Sequence, residues 1–207
     1  MTRLVFIRHG PTLWNAEGRI QGRTDVALSA EGVIEVGRWR LPEEFHTYRW
    51  FASPLLRAVQ TARLLGAPDL VFDPALGEMR WGVWEGRRLD EIRAEDPSGT
   101  ADVEARGLDF STPGGESPRQ VQMRLAPFLG ARAGASVPAI VVTHKGVIRA
   151  LYAQATSWPM LGKPPDRLDW SAAHLFRLAG DGMPSVERLN VPLRTANDGS
   201  PCPPRLF

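Results

Sequence analysis

The strongest constraint on the fold is a short apolar run that ends in a histidine, because the chain contains this pattern twice. Residues 4–7 lead into an Arg-His-Gly triplet at 8–10, and residues 139–143 lead into a His-Lys-Gly triplet at 144–146. Both runs have the length and the β-branched content of buried strands. Open α/β sheets bind ligands at the carboxyl ends of their parallel strands. We therefore expect the two histidines to converge at one edge of a parallel sheet.

Further strands and helices alternate along the chain. The predicted strands are 3–7, 49–52, 70–72 and 139–143, followed by a terminal hairpin of 173–178 and 186–190. The predicted helices begin at Ser29, Pro54 and Ser117 and after Gly146, and a short helix is predicted at Leu89–Glu95. This alternation predicts an α/β fold, a three-layer sandwich with a mainly parallel central sheet and helices on both faces.

Local signals set the expected bounds of three helices. Ser29 should cap a helix of about a dozen residues, and Ser53 should cap a second helix that has Pro54 at its first position and ends near Gly66. Pro127 lies inside the third helix, where a proline predicts a kink or a break. One face of the first helix is predicted to carry Val33, Ile34, Gly37 and Leu41.

The length of 207 residues suits one domain, which we place at residues 1–191. The pattern loosens in the middle of the chain, and we interpret about 79–118 as a lid or insertion, because such long irregular segments are usually functional. Residues 192–207 form a Pro-rich tail that is expected to lie irregularly on the surface. Exposed tryptophans such as Trp39 or Trp158 would mark an interface or merely pack, so a monomer and a homodimer are both open.

Composition excludes several classes of function. The chain is 43% hydrophobic and 23% charged, its net charge is +2, and it has no long apolar segment and no Lys/Arg run. These values predict a globular protein that binds neither membrane nor nucleic acid. The single cysteine, Cys202, excludes an internal disulfide and a thiolate zinc site. With no leader pattern ahead of the first strand, we expect a cytoplasmic location.

Two arginines accompany the histidines. Arg8 precedes His9, and Arg57 lies in the first turn of the helix that follows the second strand, at the same predicted sheet edge as His144. Forked guanidinium donors and a helix N-terminus match the oxygens of a tetrahedral anion. A neighbouring arginine also disfavours the imidazolium form of His9 and keeps that ring a neutral nucleophile. The pattern predicts phosphate as the ligand.

Such a site also needs a proton donor, and Glu78 is the preferred carboxyl group. It comes first after the third strand, and Trp81 and Trp84 could shield it, which would raise the pKa of its carboxyl group as a general acid requires. Three other carboxyl groups compete for this role: Glu85, Glu116 and Asp25.

These residues lie in five motifs whose order is that of a known family. The motifs are Arg8-His9-Gly10-x-Thr12 with Asn15, Ser53-Pro54-Leu55-x-Arg57-Ala58-x-x-Thr61-Ala62, Leu76-x-Glu78-x-x-x-Gly82-x-Trp84-Glu85-Gly86, Gly114-Gly115-Glu116-Ser117 and Val141-Val142-Thr143-His144. Together they make residues 3 to about 155 resemble the histidine phosphatase superfamily, also called the phosphoglycerate mutase-like family.

The resemblance implies a two-step phosphoryl transfer through a phosphohistidine on His9. Arg8, Arg57 and His144 would hold the three equatorial oxygens of the phosphoryl group. Glu78 would protonate the leaving oxygen and would then act as a base toward water. Because cationic side chains supply the electrostatic stabilisation, the resemblance implies neither a metal ion nor a cofactor.

The resemblance also implies a set of substrate- or phosphate-binding residues: Thr12, Asn15, Gln21, Gly22 and Lys145. Thr12 and Asn15 would bind the phosphate or fix the loop that carries them. Lys145 would be an anion ligand that contributes to substrate choice, or else a solvated residue at the start of a helix.

Several residues depart from the family pattern. The family usually has aspartate or another small polar residue where Pro54 stands, and a second glycine where Lys145 stands. His46 and His174 match no motif and are interpreted as structural. These departures leave open a reading as a catalytically weak module that binds phosphorylated ligands.

The cofactor-dependent mutases of glycolysis resemble the first thirty residues of the chain but carry a longer insertion after the acid-bearing segment. Here residues 87–116 are short, and Arg87 and Arg88 lie too close to that segment to match the mutases' arginine pair. The sequence thus predicts a phosphatase that acts on a small phosphorylated metabolite as its partner. Phosphoglycerate mutase activity is the alternative.

Overall fold

A six-stranded sheet forms the centre of the molecule in a computed structural model, which describes residues 1–193. The strands are β1 (Thr2–Arg8), β2 (Arg49–Ala52), β3 (Leu70–Phe72), β4 (Ala139–Thr143), β5 (Ala172–Leu178) and β6 (Pro184–Pro192). They lie in the order β3-β2-β4-β1-β5-β6. The first four strands in this order are parallel, and β5 and β6 form an antiparallel hairpin beside β1.

Helices cover both faces of the sheet. The helices are α1 (Leu13–Ala16), α2 (Ala30–Gly37), α3 (Leu56–Leu64), α4 (Leu89–Glu95), α5 (Pro97–Glu104), α6 (Pro118–Ala133) and α7 (Lys145–Thr156). Helices α6 and α7 pack on one face, and α2 and α3 pack on the other. The expected mainly parallel three-layer α/β sandwich is therefore confirmed.

The alternating side chains of β1 supply both cores. Leu4 and Phe6 pack with α6 and α7, whereas Val5 and Ile7 pack with α2 and α3, and all four side chains are fully buried. Successive side chains of a strand point to opposite faces. A strand that is buried on both faces must therefore be a continuous apolar run, which is the pattern seen in the sequence.

Helix α2 is shorter than predicted and buries a different face. Ser29 caps it as expected, since its Oγ accepts a hydrogen bond from the backbone N–H of Gly32 at 3.0 Å. The buried residues of the helix are Gly32 and Val36, whereas Ile34 is 56% exposed. The predicted continuation to Leu41 is wrong, because the following proline disfavours helical geometry at Leu41.

Helix α3 does not begin as predicted. Its cap residue is Leu55, not Ser53, and Leu55 provides no side-chain cap. The backbone N–H of Ser53 instead donates to the carbonyl of Val142 at 3.0 Å and so extends the β2–β4 pairing by one residue. The first helical N–H, that of Leu56, donates to Asp25 Oδ1 at 2.7 Å. A distant loop therefore supplies the missing cap.

Two further expectations about packing are corrected. Helix α6 runs without a break through Pro127, which is exposed, so the carbonyl that loses its partner lies on the solvent side. Trp39 and Trp158 are only 2% and 5% exposed and pack in the two cores, so neither marks an interface. The predicted tail, including Cys202, falls almost wholly outside the described residues.

The segment 79–118 contains more regular structure than the sequence predicted. The short helix α4 has the predicted bounds, but helix α5 was not predicted. Trp81, Trp84 and Phe110 form an aromatic cluster, in which the two tryptophans stack with ring centroids 6.2 Å apart. The function of this segment as a lid stays a prediction.

Candidate active site

The two histidines meet at the carboxyl end of the parallel strands, as the sequence predicted. The backbone N–H of His9 donates to the carbonyl of Thr143 at 2.9 Å, so the pairing of β1 with β4 continues to the edge of the sheet. The rings of His9 and His144 have centroids 5.2 Å apart and are inclined at 56°. Both side chains are buried.

The protonation of the His9 ring is determined by its neighbours. Its Nδ1 lies 2.7 Å from the carbonyl oxygen of Gly10, so Nδ1 carries the proton and donates it. Desolvation by burial holds the pKa of His9 well below its ordinary value of 6.5, and the charges of Arg8 and Arg57 lower it further. Nε2 consequently presents a free lone pair on a neutral ring, as a nucleophile requires.

Two guanidinium groups on different elements, those of Arg8 and Arg57, act electrostatically on His9. Arg57, in the first turn of α3, is fully buried and donates from Nη1 to the carbonyl of Thr24 at 2.9 Å and from Nη2 to that of Gly22 at 2.8 Å. The Nε atoms of Arg57 and Arg8 are buried and have no partner among residues 1–193. Buried N–H donors of this kind match an anion with several oxygens.

His144 is held by a residue that the sequence placed in another role. Its Nε2 lies 2.7 Å from Ser53 Oγ, and this Oγ also accepts the backbone N–H of Leu55 at 3.2 Å. When the Ser53 hydroxyl donates its proton to His144 Nε2, the ring proton lies on Nδ1. That Nδ1 is buried without a partner in the described part of the chain. Desolvation holds the pKa of His144 well below 6.5, and the charge of Arg57 lowers it further, so the ring is neutral.

Thr61 connects the residues that follow β1 to helix α3. Its Oγ1 accepts the backbone N–H of Gly10 at 2.9 Å and donates to the carbonyl of Arg57 at 2.7 Å. The Thr-Ala pair of the second motif therefore positions His9 relative to Arg57. Sequence reasoning gave this buried hydroxyl no role.

Among the candidate carboxyl groups, that of Glu78 has a raised pKa. It is buried and accepts the backbone N–H of Met79 at 2.8 Å and that of Gly146 at 3.3 Å. Desolvation raises the pKa of Glu78 above its ordinary value of 4.5, although these two hydrogen bonds, Arg57 and Arg8 act in the opposite direction. A Cβ at position 146 would collide with Glu78 Oε1, so glycine is required there for close approach.

The three competing carboxyl groups are occupied elsewhere. Glu85 accepts backbone N–H bonds from Arg23, Thr24 and Trp81 and the Thr24 hydroxyl, and these bonds lower its pKa in spite of partial burial. Glu116 pairs with Arg124 at 2.8 Å, which lowers the pKa of Glu116 against its desolvation. Asp25 caps α3. Geometry therefore favours Glu78 as the acid.

The loop after β1 holds the predicted binding residues in different ways. Thr12 and Asn15 form a reciprocal capping box at α1, with bonds of 3.1–3.2 Å, and so fix the loop. Gly22 turns the chain at a φ of 56° and offers its carbonyl to Arg57. Gln21 is buried, and its Oε1 has no partner within residues 1–193.

Arg23 is a site residue that sequence reasoning did not rank. Its guanidinium group lies 4.0 Å from Glu116 Oε2 and directly against Gly77, the residue before Glu78, and partial desolvation lowers the pKa of Arg23. The signal for it was its position directly after Gly22 in the first loop. Of the other histidines, His46 is exposed, whereas His174 is buried in β5.

Replacement of Ser53 by alanine is expected to impair the site without unfolding it. The loss of the hydroxyl leaves His144 Nε2 buried without a partner, which should lower the free energy of unfolding by about 1–2 kcal/mol. Turnover should fall about tenfold, because the ring is no longer held in one orientation. Urea unfolding and kcat measured on the same preparations would check both effects, and Ser53→Thr should retain part of the activity. An alanine variant with unchanged kcat would show that the serine does not orient His144.

The described residues include neither a cluster of metal ligands nor a membrane-spanning helix. Within residues 1–193, no three histidine, cysteine or carboxylate side chains are grouped so that they could hold a metal ion. No helix in that part of the chain has both the length and the apolar character needed to cross a membrane.

Comparison with known proteins gives the arrangement a context. Residues 4–191 match the family described as "Histidine phosphatase superfamily (branch 1)". The chain is 32% identical over 173 residues to the "Metal-independent phosphoserine phosphatase" of Arabidopsis thaliana, which covers 79% of this chain and 72% of that one. It is 34% identical over 131 residues to "Probable phosphoglycerate mutase GpmB" of Enterobacter sp. (strain 638), which covers 60% of each chain. The solved structure "Bacillus stearothermophilus YhfR" has a TM-score of 0.77 at 26% identity and covers 95% of this chain and 98% of that chain.

Proposed function

Because the chain belongs to the histidine phosphatase superfamily (branch 1), we propose that it is a metal-independent phosphomonoesterase that acts on a small phosphorylated metabolite. The observation that carries this proposal is a neutral His9 with Nδ1 bound to Gly10, at a sheet edge where buried nitrogen atoms of Arg8, Arg57 and His144 lack protein partners among the described residues. A nucleophile beside several donors suits the transfer of a phosphoryl group and its negative oxygens.

The first step forms a phosphohistidine. His9 Nε2 attacks phosphorus, and the bond from phosphorus to the ester oxygen breaks. The proton of Glu78 moves to that oxygen, so the product leaves as an alcohol and Glu78 becomes a carboxylate. Arg8, Arg57 and His144 Nδ1 donate to the three equatorial oxygens, and the Gly10 carbonyl stabilises the charge that develops on the ring through Nδ1–H.

The second step returns the enzyme to its starting state. The Glu78 carboxylate takes a proton from water, and the water oxygen attacks phosphorus as the bond to His9 Nε2 breaks. Inorganic phosphate leaves, Glu78 is again protonated and His9 is again neutral. One carboxyl group thus serves as acid and then as base, which its position beside the α7 N-terminus allows.

A direct test is hydrolysis of p-nitrophenyl phosphate by purified protein in the presence of EDTA. Turnover that survives the chelator, together with a ³²P-labelled intermediate that is stable to base and labile to acid, would support the proposal. A protein that turns over aryl phosphate only after a divalent metal is added would contradict it.

The pH dependence of kcat/KM should report the two perturbed groups. His9 must be neutral, and its lowered pKa places the acid limb well below pH 6.5. Glu78 must be protonated, and its raised pKa places the alkaline limb above pH 4.5. We expect a bell-shaped dependence of kcat/KM on pH. In Glu78→Gln the alkaline limb should flatten, because glutamine does not titrate. If the alkaline limb is unchanged in that variant, another group is the acid.

Mutase activity is the second candidate, since one of the relatives is named a phosphoglycerate mutase. Its test is the conversion of 3-phosphoglycerate to 2-phosphoglycerate with and without 2,3-bisphosphoglycerate. A conversion that depends on the bisphosphate and exceeds phosphate release would favour the mutase.

The cytoplasmic location and the monomeric or homodimeric state stay predictions. Cell fractionation tests the first, and sedimentation of the purified protein tests the second.

A further inference from the structure

A cavity of about 870 Å³ lies between α7 and residues 158–170. Lys145, the residue that follows His144, lines it. Its walls carry four cationic and two aromatic side chains: Lys145, Arg149, Lys163, Arg167, Trp158 and Trp170. The mechanism proposed above does not use this space. A volume of this size could hold the part of a small substrate that lies beyond its ester phosphate.

The cavity carries a net positive charge, because four cationic side chains line it against two carboxylates, those of Asp166 and Asp169. Asp166 accepts the hydroxyl of Tyr152 at 2.7 Å. Asp169 accepts the backbone N–H and the hydroxyl of Ser171 at 2.9 and 2.7 Å. Within residues 1–193, none of the four cationic side chains forms an ion pair with a carboxylate.

Two of these cations are held next to each other by the fold. Lys145 and Arg149 lie one turn apart on α7, where like charges repel. The Lys145 ammonium lies 5.3 Å from the ring centre of Trp170, and the Arg149 guanidinium lies 5.4 Å from that of Trp158. These aromatic faces fix the positions of both cationic groups. An anion in the cavity would offset their repulsion.

Lys145 connects the wall of the cavity to the phosphate site along the chain, since it lies between His144 and Gly146, whose backbone N–H donates to Glu78 Oε2 at 3.3 Å. Partial desolvation lowers the pKa of Lys145 although its side chain reaches solvent, Arg8 and Arg149 lower it further, and Glu78 raises it. Because Lys145 lies one residue from His144 and lines the cavity, a small molecule whose phosphate lies at His9 could also reach the Lys145 ammonium group.

We propose that this cavity is a subsite for a second anionic group of the substrate, which is bound by Lys145 and Arg149. The inference rests on the proposed function for the identity of the first subsite. It defines the substrate class as small phosphomonoesters that carry a further carboxylate or phosphate. Neutral alcohols esterified with a single phosphate lack the group that the cavity recognises.

The test measures binding to a His9→Ala background, in which no turnover consumes the ligand. The matched ligands are 3-phosphoglycerate and glycerol 3-phosphate, which differ by a carboxylate in place of a hydroxymethyl group, and propane-1,3-diyl bisphosphate supplies a second phosphate. Calorimetry should show that 3-phosphoglycerate, propane-1,3-diyl bisphosphate or both bind at least tenfold more tightly than glycerol 3-phosphate. Lys145→Gln and Arg149→Gln should each reduce this preference at least fivefold.

Arg63→Gln is the matched control, because Arg63 is an exposed arginine of α3 that contributes to neither subsite. It should leave the preference unchanged. A preference that is absent, or that survives both Lys145→Gln and Arg149→Gln, would overturn the subsite. The two proposals can fail separately, because the subsite is tested by binding and the function by turnover. If the wild-type protein has no phosphatase activity, the proposed function is refuted. If the binding preference still depends on Arg149, the subsite is retained.

Discussion

The His9→Ala variant is expected to lose at least about 10⁴-fold in kcat for p-nitrophenyl phosphate, because the covalent pathway depends on one nitrogen atom. Removal of the imidazole leaves the donors of Arg8, Arg57 and His144 in place, so the variant should still bind phosphate esters. The ³²P-labelled intermediate should disappear completely. Steady-state kinetics and acid-quench labelling check the two effects separately.

His46→Ala is the control for this variant, since His46 is an exposed histidine remote from the sheet edge. It should retain full activity and labelling. The alanine at position 9 should also fold normally, because the ring that it removes donates only one internal hydrogen bond, to the Gly10 carbonyl. A His9→Ala protein that is folded and still forms a labelled intermediate would place the nucleophile elsewhere.

Glu78→Gln should lower kcat/KM, which reports the first step, by roughly 10²–10⁴-fold for alkyl phosphates, whose leaving oxygen needs a proton. The loss should be smaller for p-nitrophenyl phosphate, because nitrophenolate leaves without protonation. The amide oxygen can still accept from Met79 and Gly146, so the local structure is preserved. Kinetics on an alkyl and an aryl ester with the same preparation would measure the difference. Equal losses on both esters would contradict a role as the acid.

The same substitution should make the folded protein more stable at neutral pH. The pKa of Glu78 is raised in the folded state, so between about pH 4.5 and the raised pKa the folded state binds more protons than the unfolded state. Stability therefore falls as the pH rises through this window, and an ionised, buried Glu78 persists above it. The glutamine side chain does not titrate, so the stability gain of the variant should appear at pH 7 and vanish near pH 4.

Glu85→Gln should change the stability in the opposite direction to Glu78→Gln. The pKa of Glu85 is lowered by hydrogen bonds from Arg23, Thr24 and Trp81, so its ionised form stabilises the fold. This contribution is present above the unfolded pKa and is lost as the pH falls. Thermal unfolding at pH 7 should therefore show a loss for Glu85→Gln and a gain for Glu78→Gln. Two losses would mean that Glu78 is not desolvated.

The features that the sequence determined are those encoded in neighbouring residues. The apolar runs at 4–7 and 139–143 could only be strands buried on both faces, and the histidines that follow them had to reach the same edge of a parallel sheet. The Ser29 cap and the bounds of α4 were predicted correctly for the same reason. In both cases the sequence signals lie within one turn of the structure that they determine.

The features that only the tertiary structure decided depend on residues far apart in the chain. Ser53 contacts His144 from 91 positions away and does not cap its own helix, because the β2–β4 pairing extends through Ser53 and the helix begins only at Leu56. Asp25 caps that helix from a distant loop.

The choice among the carboxyl groups had the same origin. Glu78 and Glu85 lie seven residues apart in one motif, yet burial raises the pKa of the first and hydrogen bonds lower that of the second. The aromatic rings that position Lys145 and Arg149 at the cavity were likewise visible only after α7 and residues 158–170 had packed. Composition cannot distinguish these cases, because a side chain's protonation and partners are set by the solvent and donors that the completed fold leaves around it.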